Sequence, residues 1–249
     1  MSAPAVSISH IGFCYPGQTN YCLTDLSLEI QAGDRFGLFG PNGAGKTTLM
    51  SCMTGLLEVS NGNISILGRD VKKDRKKIKE LFGLVPQDFS FYQELSPVQN
   101  LEFFGAWSGL PAKSLKGRID ELLDILGLSD VRNKQVQKFS GGMKRRVNLA
   151  IGVINNPRVL FLDEPTVGVD VQSRHAIINF LRQLNEKGTT LIYTSHQLVE
   201  AEELCNRIAL IEKGQIIAHN SLDQLLAEHR EDGLEGLYLN LTGKTYRDN

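Results

Sequence analysis

The feature that most constrains this chain is the segment Gly-Pro-Asn-Gly-Ala-Gly-Lys-Thr at residues 40–47. Its spacing, Gly-x-x-x-x-Gly-Lys-Thr, is that of a phosphate-binding P-loop. In such a loop, glycine lets the backbone approach an anion, successive amides point at phosphate oxygens, and the following helix adds its positive end. The apolar stretch 36–39 predicts a buried strand before the loop, and the residues from 48 onward predict a helix. This context indicates a site for a nucleoside triphosphate.

Each position of the loop has an expected task. We expect Gly43 and Gly45 to need unusual backbone angles. We expect Lys46 to reach the β- and γ-phosphates and the Thr47 hydroxyl to ligate Mg²⁺. The residues predicted to contact the nucleoside triphosphate are Gly40, Pro41, Asn42, Gly43, Ala44, Gly45, Lys46, Thr47 and Thr48.

The bulk composition is that of a soluble globular protein. The 249 residues are 41% hydrophobic and 22% charged, enough for one large or two small domains. A net charge of −1 gives no global field to attract nucleic acid or an anionic membrane. We therefore predict no nucleic-acid partner.

Cysteine spacing and hydropathy predict where the chain works. Cys14, Cys22, Cys52 and Cys205 show no Cys-x-x-Cys spacing, so we interpret them as reduced, small apolar groups. The first residues lack the charged start and apolar run of a secretory signal. No uncharged apolar run approaches the roughly 18 residues that a membrane span needs. A role at a membrane would require another protein to cross it.

The chain alternates short apolar runs with helical patterns and shows no internal repeat. Strands are predicted at residues 6–15, 22–30, 35–39, 63–67, 80–86, 159–163, 189–194, 207–212 and 215–218. Helices are predicted at 45–54, within 97–155, at 171–186 and 197–204, and from a cap at 221 to about 229. This order predicts an α/β fold with a parallel sheet covered on both sides, into which the helical middle is inserted.

Two adjacent acids end the buried apolar strand at 159–163. Asp163 is placed to hold Mg²⁺, directly or through water. Glu164 follows at once, and a carboxylate beside the metal can orient and deprotonate an attacking water. The pair favours hydrolysis over transfer of the phosphoryl group to a second substrate.

A second anion-binding end is predicted at residues 139–146, Phe-Ser-Gly-Gly-Met-Lys-Arg-Arg. Ser140 is a good N-cap, and a helix pattern begins at Met143. The two glycines and the helix start resemble a phosphate cradle. Because the P-loop already serves one nucleotide, this second end suggests closure on a nucleotide held by another copy.

The order of these motifs closely resembles the nucleotide-binding subunit of ATP-binding-cassette (ABC) transporters. The resemblance covers roughly residues 5–225 and rests on these segments: the P-loop 40–47, Gln87, Phe-Ser-Gly-Gly-Met at 139–143, Val-Leu-Phe-Leu-Asp-Glu-Pro at 159–165, Val-Gly-Val-Asp at 167–170, and His196. It implies a P-loop NTPase with a RecA-like parallel sheet core, an N-terminal antiparallel β subdomain and an inserted α-helical subdomain. It also implies one ABC domain at 1–225 (core about 1–87 and 156–225, helical subdomain about 88–155) and a C-terminal extension at 226–249.

The resemblance implies a role for each remaining motif residue. Gln87 would couple the γ-phosphate and Mg²⁺ to a membrane partner. Ser140, Gly141 and Gly142 would contact the γ-phosphate held by the opposite protomer. Asp170 would lie at the dimer seam, and His196 would be a catalytic switch that steadies γ-phosphate and water.

An aromatic residue that stacks on adenine is also expected near the N-terminus. Tyr15 stands at the family position, although Phe13 or Tyr21 could supply the ring instead.

Departures from the common pattern point to one branch of the family. Met143 replaces the usual Gln, and the run 139–146 resembles the exporting branch called ABC-2 type. The segment 234–243 also resembles the tail of that branch. Val167-Gly168-Val169-Asp170 differs from the usual Gly-Leu-Asp form but keeps the acid.

Two other features have a structural and a functional interpretation. The basic run 72–77 is interpreted as a solvated helix face, with lipid contact as the alternative. Aromatic residues cluster at the start of the helical middle, where they either fill the core or line a groove for a helix of a membrane subunit: Phe89, Phe91, Tyr92, Phe103, Phe104 and Trp107.

We therefore expect an ATPase subunit that forms a homodimer and energises a separately encoded transmembrane permease of the exporter type. It would lie in the cytoplasm at the inner face of the cell membrane. The alternative is a soluble ABC ATPase without transport, acting in cofactor assembly or translation. A P-loop kinase or GTPase would leave Ser140, Gly141, Gly142 and His196 without roles.

Overall fold

The computed structural model describes residues 3–195 and 197–243. These residues divide into two compact units. The first contains the chain up to Ile78 and from Thr190 onward, and the second runs from Lys79 to Thr189.

Strands and helices alternate along most of the described chain. The strands are β1 Val6–Phe13, β2 Leu23–Ile30, β3 Arg35–Phe39, β4 Asn61–Ile66, β5 Arg69–Asp70, β6 Phe82–Val85, β7 Val159–Asp163, β8 Thr190–Thr194, β9 Arg207–Glu212 and β10 Gln215–Ser221. The helices are α1 Lys46–Met53, α2 Arg75–Ile78, α3 Pro97–Trp107, α4 Ala112–Ile125, α5 Gly141–Gly152, α6 Val171–Glu186, α7 Leu198–Leu204, α8 Leu222–His229 and α9 Leu234–Thr242. Short 3-10 turns lie at Ser129–Val131 and Val136–Lys138.

The first unit holds an antiparallel sheet and a group of mainly parallel strands. The antiparallel sheet has the order β2-β1-β4-β5. In β2 every second or third residue is buried, from Leu23 to Ile30, as expected for a strand with one face against a core. Strand β3, which leads into the P-loop, pairs in parallel with β8 on one side and β9 on the other. Its residues 36–39 are all buried, which is typical of a strand covered on both faces.

The second unit combines a parallel strand pair with most of the long helices. Strand β6 pairs in parallel with β7, with Val85 opposite Leu162. All five residues of β7 are buried. Helix α4 turns Leu115, Ile119, Leu122 and Leu123 inward at helical spacing. The chain reverses after this helix at Gly127, which has φ +62°.

Most predicted bounds agree with the structure within two residues. Strands 35–39, 159–163 and 207–212 and helix 171–186 have the bounds that we predicted. Strand β1 ends at Phe13 instead of residue 15, because the chain turns at Tyr15–Gln18 through a backbone hydrogen bond. The last strand continues to Ser221, beyond the predicted end at 218, because it stays paired with β9 as far as Arg207. Helix α9 was not predicted.

The start of α3 has a complete capping box. The Ser96 side chain accepts from the Gln99 backbone N–H, and the Gln99 side chain accepts from the Ser96 N–H at 2.9 Å. Pro97 follows at the first helical position, where its missing N–H costs nothing. Ser96 is buried, so water does not replace the bond if the hydroxyl is removed.

We expect Ser96→Ala to lower the free energy of unfolding by about 1 kcal/mol, because one helix-start N–H loses its acceptor. Ser96→Thr keeps an acceptor and should retain most of the stability. Ser108→Ala, at the exposed end of the same helix, should change it by less than about 0.5 kcal/mol. Thermal or urea unfolding of the three variants measures this, and equal midpoints for the two alanine variants would contradict the capping role.

Candidate functional site

The P-loop connects β3 to α1 in the first unit. Gly43 has φ +78° and Gly45 has φ +109°, which confirms that these two positions need backbone angles that favour glycine. Gly45 stands at the N-cap of α1, directly before Lys46. Thr47 is exposed and Thr48 is buried in the first turn of the helix. Gly45 has no side chain that could cap the start of α1, so the first backbone N–H groups of this helix are the ones that the P-loop prediction directs at phosphate.

Lys46 lies back across the loop that precedes it. Its side chain is 7% exposed. Its Nζ donates to the carbonyl oxygens of Gly40 at 2.7 Å and Pro41 at 3.1 Å. A buried ammonium needs such acceptors. These two bonds hold the charge beside the backbone that would receive phosphate.

The three candidate rings for adenine differ in exposure. Phe13 is buried, whereas Tyr15 is 37% and Tyr21 is 54% exposed. The Tyr15 ring packs edge-on against Phe13, and its hydroxyl lies 2.9 Å from the Thr48 hydroxyl in α1. Tyr15 therefore combines an accessible ring with a hydrogen bond to the P-loop helix.

Asp163 and Glu164 mark the end of β7 in the second unit. Both are largely withdrawn from water, with 6% and 8% exposure. Glu164 adopts φ +48°, an uncommon left-handed conformation for a residue with a side chain. Such backbone strain is concentrated at functional sites, where surrounding structure holds the residue in place. This conformation of Glu164 changes the direction of the chain directly after β7.

Gln87 contacts Glu164 directly. The Gln87 Nε2 donates to the Glu164 Oε2 at 3.3 Å. Gln87 lies in the loop after β6, and Glu164 lies in the loop after β7, so parallel pairing of the two strands brings the loops to the same edge. The sequence predicted both residues, and the structure brings this amide and this carboxylate together.

Ser140, Gly141 and Gly142 form the start of α5. The Ser140 hydroxyl accepts from the Met143 backbone N–H at 3.3 Å, which confirms the predicted N-cap. Ser140 and Gly141 are exposed, while Gly142 is buried. A Cβ at position 142 would lie 2.7 Å from the Ser173 hydroxyl oxygen, so a larger residue there would displace the Ser173 side chain that bonds to Asp170.

Asp170 caps α6. Its carboxylate accepts from the Ser173 backbone N–H at 2.9 Å and from the Ser173 hydroxyl at 2.8 Å. The bond from the Ser173 backbone, then that from its hydroxyl, hold the pKa of the Asp170 carboxyl below its usual value. The carboxylate is thus charged at neutral pH and fixed at the helix start.

Two residues without a predicted role hold the loop around Gln87. Asn148 is 1% exposed; its Nδ2 donates to the Pro86 carbonyl at 3.0 Å, and its Oδ1 accepts from the Ser90 hydroxyl at 3.3 Å. Arg145 donates to the Gln87 carbonyl. Both are buried in α5, and because they are three residues apart they share one face of the helix.

The remaining predictions concern ions, membranes and the switch. The predicted switch His196 lies outside the described residues. In the part of the chain that the structure describes, three or more His, Cys, Asp or Glu side chains nowhere gather into a metal site. Nor is any helix among residues 3–195 and 197–243 long and apolar enough to cross a membrane.

Comparison with known proteins agrees with this geometry. The sequence model of the family described as ABC transporter matches residues 23–167, which include the P-loop, Gln87, the start of α5 and both acids. This chain belongs to the ABC transporter family. The predicted family is confirmed.

Two relatives of this ABC protein are named as ATP-binding proteins. One is the linearmycin resistance ATP-binding protein LnrL of Bacillus subtilis (strain 168), 44% identical over 78% of this chain and 62% of the relative. The other is the Nod factor export ATP-binding protein I of Rhizobium sp. (strain N33), 39% identical over 82% of this chain and 67% of the relative. This chain thus spans less than two thirds of the length of LnrL.

A solved structure described as the ATP binding subunit of an ABC transporter has a similar fold. It matches 96% of this ABC protein and 99% of its own chain, with 27% identity and a TM-score of 0.88. The predicted fold class is therefore confirmed: an ABC ATPase with a parallel core sheet, an antiparallel β subdomain and helices in the middle of the chain. ATP is the nucleotide of this family of cassettes.

We expect Asn148→Ala to lower the free energy of unfolding by about 1–3 kcal/mol, because the Pro86 carbonyl loses its donor inside the second unit. Lys144→Ala, on a more exposed position of the same helix, should change it by less than about 0.5 kcal/mol. Urea titration of both variants measures the difference. Equal unfolding midpoints would show that Asn148 does not support the loop around Gln87.

Proposed function

We propose that this ABC protein hydrolyses ATP as one of two identical subunits and so drives export through a separately encoded transmembrane permease. The proposal starts from the family membership of the chain and from the chemistry of its motif residues. The observation that carries the hydrolytic step is the contact between the Gln87 amide and the Glu164 carboxylate.

The pair of residues is suited to activating water. A general base must accept a proton within hydrogen-bond reach, and its own carboxylate must be oriented. Glu164 is mostly buried, its backbone is fixed in the left-handed region, and one of its oxygens receives a bond from Gln87. In the proposal Glu164 removes a proton from the attacking water, and Gln87 orients the Glu164 carboxylate and couples the γ-phosphate and Mg²⁺ to the permease. His196 would steady the γ-phosphate and the water.

ATP would be bound chiefly by backbone amides of the P-loop. Residues 40–48 would surround the phosphates, with Lys46 turning from the carbonyls of Gly40 and Pro41 toward phosphate oxygens. Its ammonium would then exchange two neutral acceptors for charged ones, which form stronger hydrogen bonds. Tyr15 would stack on the adenine.

The donor set fits Mg²⁺. This ion prefers oxygen ligands and usually takes only one or two carboxylates, the rest being water and phosphate. Within the second unit, the Gln87 amide oxygen and the Asp163 carboxylate are such ligands, and we propose that they hold the ion. Mg²⁺ would supply charge neutralisation of the phosphate oxygens.

The exposed start of α5 supports a homodimer. Ser140 and Gly141 face solvent at a capped helix N-terminus, which is suited to a phosphate. In the proposal, Ser140, Gly141 and Gly142 grip the γ-phosphate bound by the partner subunit, and Asp170 lies at the seam. ATP thus closes the dimer and hydrolysis releases it, in the manner of other ligand-biased switches.

An aromatic patch on α3 supports a membrane partner. We define this patch as Tyr92, which lies in the loop before α3, together with Phe103, Phe104 and Trp107 of α3; each ring contacts at least one other ring of the patch. Trp107 is 79% exposed, and Tyr92 and Phe103 are each more than 40% exposed. Exposed aromatic clusters mark interaction sites. We propose that a helix of the permease covers this patch and holds the subunit at the inner face of the cell membrane.

Export is favoured by the names of the relatives, which refer to linearmycin resistance and to Nod factor export. These names do not point to cofactor assembly or translation. Co-purification with a co-expressed membrane protein, followed by ATPase assays with candidate cargo, tests the export role. Stable association with a ribosome or with an assembly scaffold would favour the alternative.

We expect Glu164→Gln to bind ATP normally but to lower hydrolysis by about 10²–10⁴-fold, because the amide cannot accept the proton. The variant should accumulate as a closed dimer when ATP is added, which size-exclusion chromatography detects. Glu186→Gln, at the exposed end of α6, is the matched control and should hydrolyse ATP like the wild type. Near-normal phosphate release by Glu164→Gln would rule out Glu164 as the base.

We expect Tyr15→Leu to weaken ATP binding about tenfold, because the stacking face is lost. Tyr15→Phe keeps the ring and should retain the affinity, although it loses the hydroxyl contact with Thr48. Tyr21→Leu removes a more exposed ring and serves as the control. Titration with a fluorescent ATP analogue distinguishes them. A larger loss in Tyr21→Leu than in Tyr15→Leu would assign the stacking role to Tyr21.

A further inference from the structure

Arg145 connects three segments of the second unit. It lies in α5, within two turns of Ser140, and its side chain is 7% exposed. Its Nη1 donates to the backbone carbonyl of Gln87 and its Nε donates to the backbone carbonyl of Val167 at 3.2 Å. The two acceptors are 80 residues apart in sequence, and each belongs to a segment with a proposed role in hydrolysis.

The guanidinium plane also packs on an aromatic ring. The Arg145 Cζ lies 4.8 Å from the centroid of the Phe89 ring, in cation–π geometry. Phe89 belongs to the same loop as Gln87, so this loop is held at both its backbone and a side chain. The ring is in turn stacked on Phe91, with centroids 5.1 Å apart.

The charge of Arg145 is balanced within the same unit. Burial lowers the pKa of the guanidinium, while the nearby carboxylates of Asp88 and Glu164 act in the opposite direction. Arginine stays protonated in proteins, so both bonds to carbonyls are permanent donations from a cation. Glu164 thus has Gln87 as a hydrogen-bond partner and Arg145 as a charge partner.

A lysine could not reproduce this arrangement. The guanidinium has donors in a fixed planar fork and a flat face for stacking, whereas an ammonium is a point charge on a flexible stem. Nε and Nη1 of Arg145 donate to two different carbonyls while the Cζ lies over the Phe89 ring. The geometry is specific to arginine.

We propose that Arg145 is a positioning residue for ATP hydrolysis, which ties the helix of Ser140–Gly142 to the backbone at Gln87 and at Val167 and thereby holds the Gln87 amide against Glu164. The proposal rests on the proposed function. Arg145 acts through its neighbours and contacts no reacting atom. Its second bond, to Val167, fixes the segment that leads to the Asp170 cap. When the start of α5 moves as it binds the phosphate held by the partner subunit, Arg145 therefore transmits this movement to the segments of Gln87 and Val167.

The test is steady-state hydrolysis by the full chain carrying Arg145→Lys. We expect kcat to fall about 10–100-fold, because small displacements of catalytic groups have effects of this size. The KM for ATP and the directly measured ATP affinity should stay near the wild-type values, since no P-loop contact changes. Arg146→Lys is the matched control: it is the same change on the next residue, whose Nη1 donates to the Leu126 carbonyl instead.

A double-mutant cycle separates positioning from general stability. Gln87→Ala removes the amide that Arg145 is proposed to position, so Arg145→Lys should lower kcat much less in that background. A purely structural role would give the same factor in both backgrounds and a matching fall in the unfolding midpoint. That additive result would overturn the proposal.

Phe89→Leu provides a second variant in case Arg145→Lys does not fold. It removes the ring but leaves both hydrogen bonds, at a position that is already 37% exposed. We expect kcat to fall about 2–5-fold, with the KM unchanged. Unchanged kcat in this variant, or a kcat of Arg145→Lys within about twofold of that of Arg146→Lys, would overturn the proposal while leaving the proposed function intact. A wild-type chain that hydrolyses no ATP would overturn both.

Discussion

Buried charged groups constrain where the candidate site residues of this protein can lie. An isolated buried charge is costly, so each one requires hydrogen bonds or a partner of opposite charge. The Lys46 ammonium takes the carbonyls of Gly40 and Pro41, and the Glu164 carboxylate takes the Gln87 amide. Such partners must come from loops, because backbone groups within strands are already paired. These candidate functional residues therefore follow the ends of β3, β6 and β7, where carbonyls and side chains become available.

The regular core could be predicted because its signals are local. The residue composition of the buried run at 159–163 indicates a strand, and the hydrophobic period of the amphipathic run at 171–186 indicates a helix. Helix α9 could not be predicted from local signals, because its stability depends on residues that are distant in sequence. It buries Leu234, Leu237 and Tyr238, and its first free N–H is capped by the Glu202 carboxylate at 2.6 Å, 32 residues upstream. A short helix whose cap comes from a residue distant in sequence has no helix-start signal in its own sequence.

The candidate site likewise contains residues that could be predicted from the sequence and residues that could not. Motif spacing identified the P-loop and the two acids, since phosphate and metal chemistry demand those residue types at those intervals. Spacing did not identify Arg145 or Asn148, whose acceptors at Gln87 and Pro86 lie 58 and 62 residues away. Nor does sequence reveal that Glu164 has φ +48°, because that angle is imposed by the packing around it. These contacts and this backbone angle arise only in the folded unit.

The aromatic patch on α3 has a practical consequence. The chain contains a single tryptophan, and it is Trp107, the most exposed member of that patch. All indole fluorescence of the protein therefore originates there, in contact with water. An apolar surface that covers this patch would shift the emission to shorter wavelength, so the binding of a partner there can be followed by fluorescence of the natural sequence without any label.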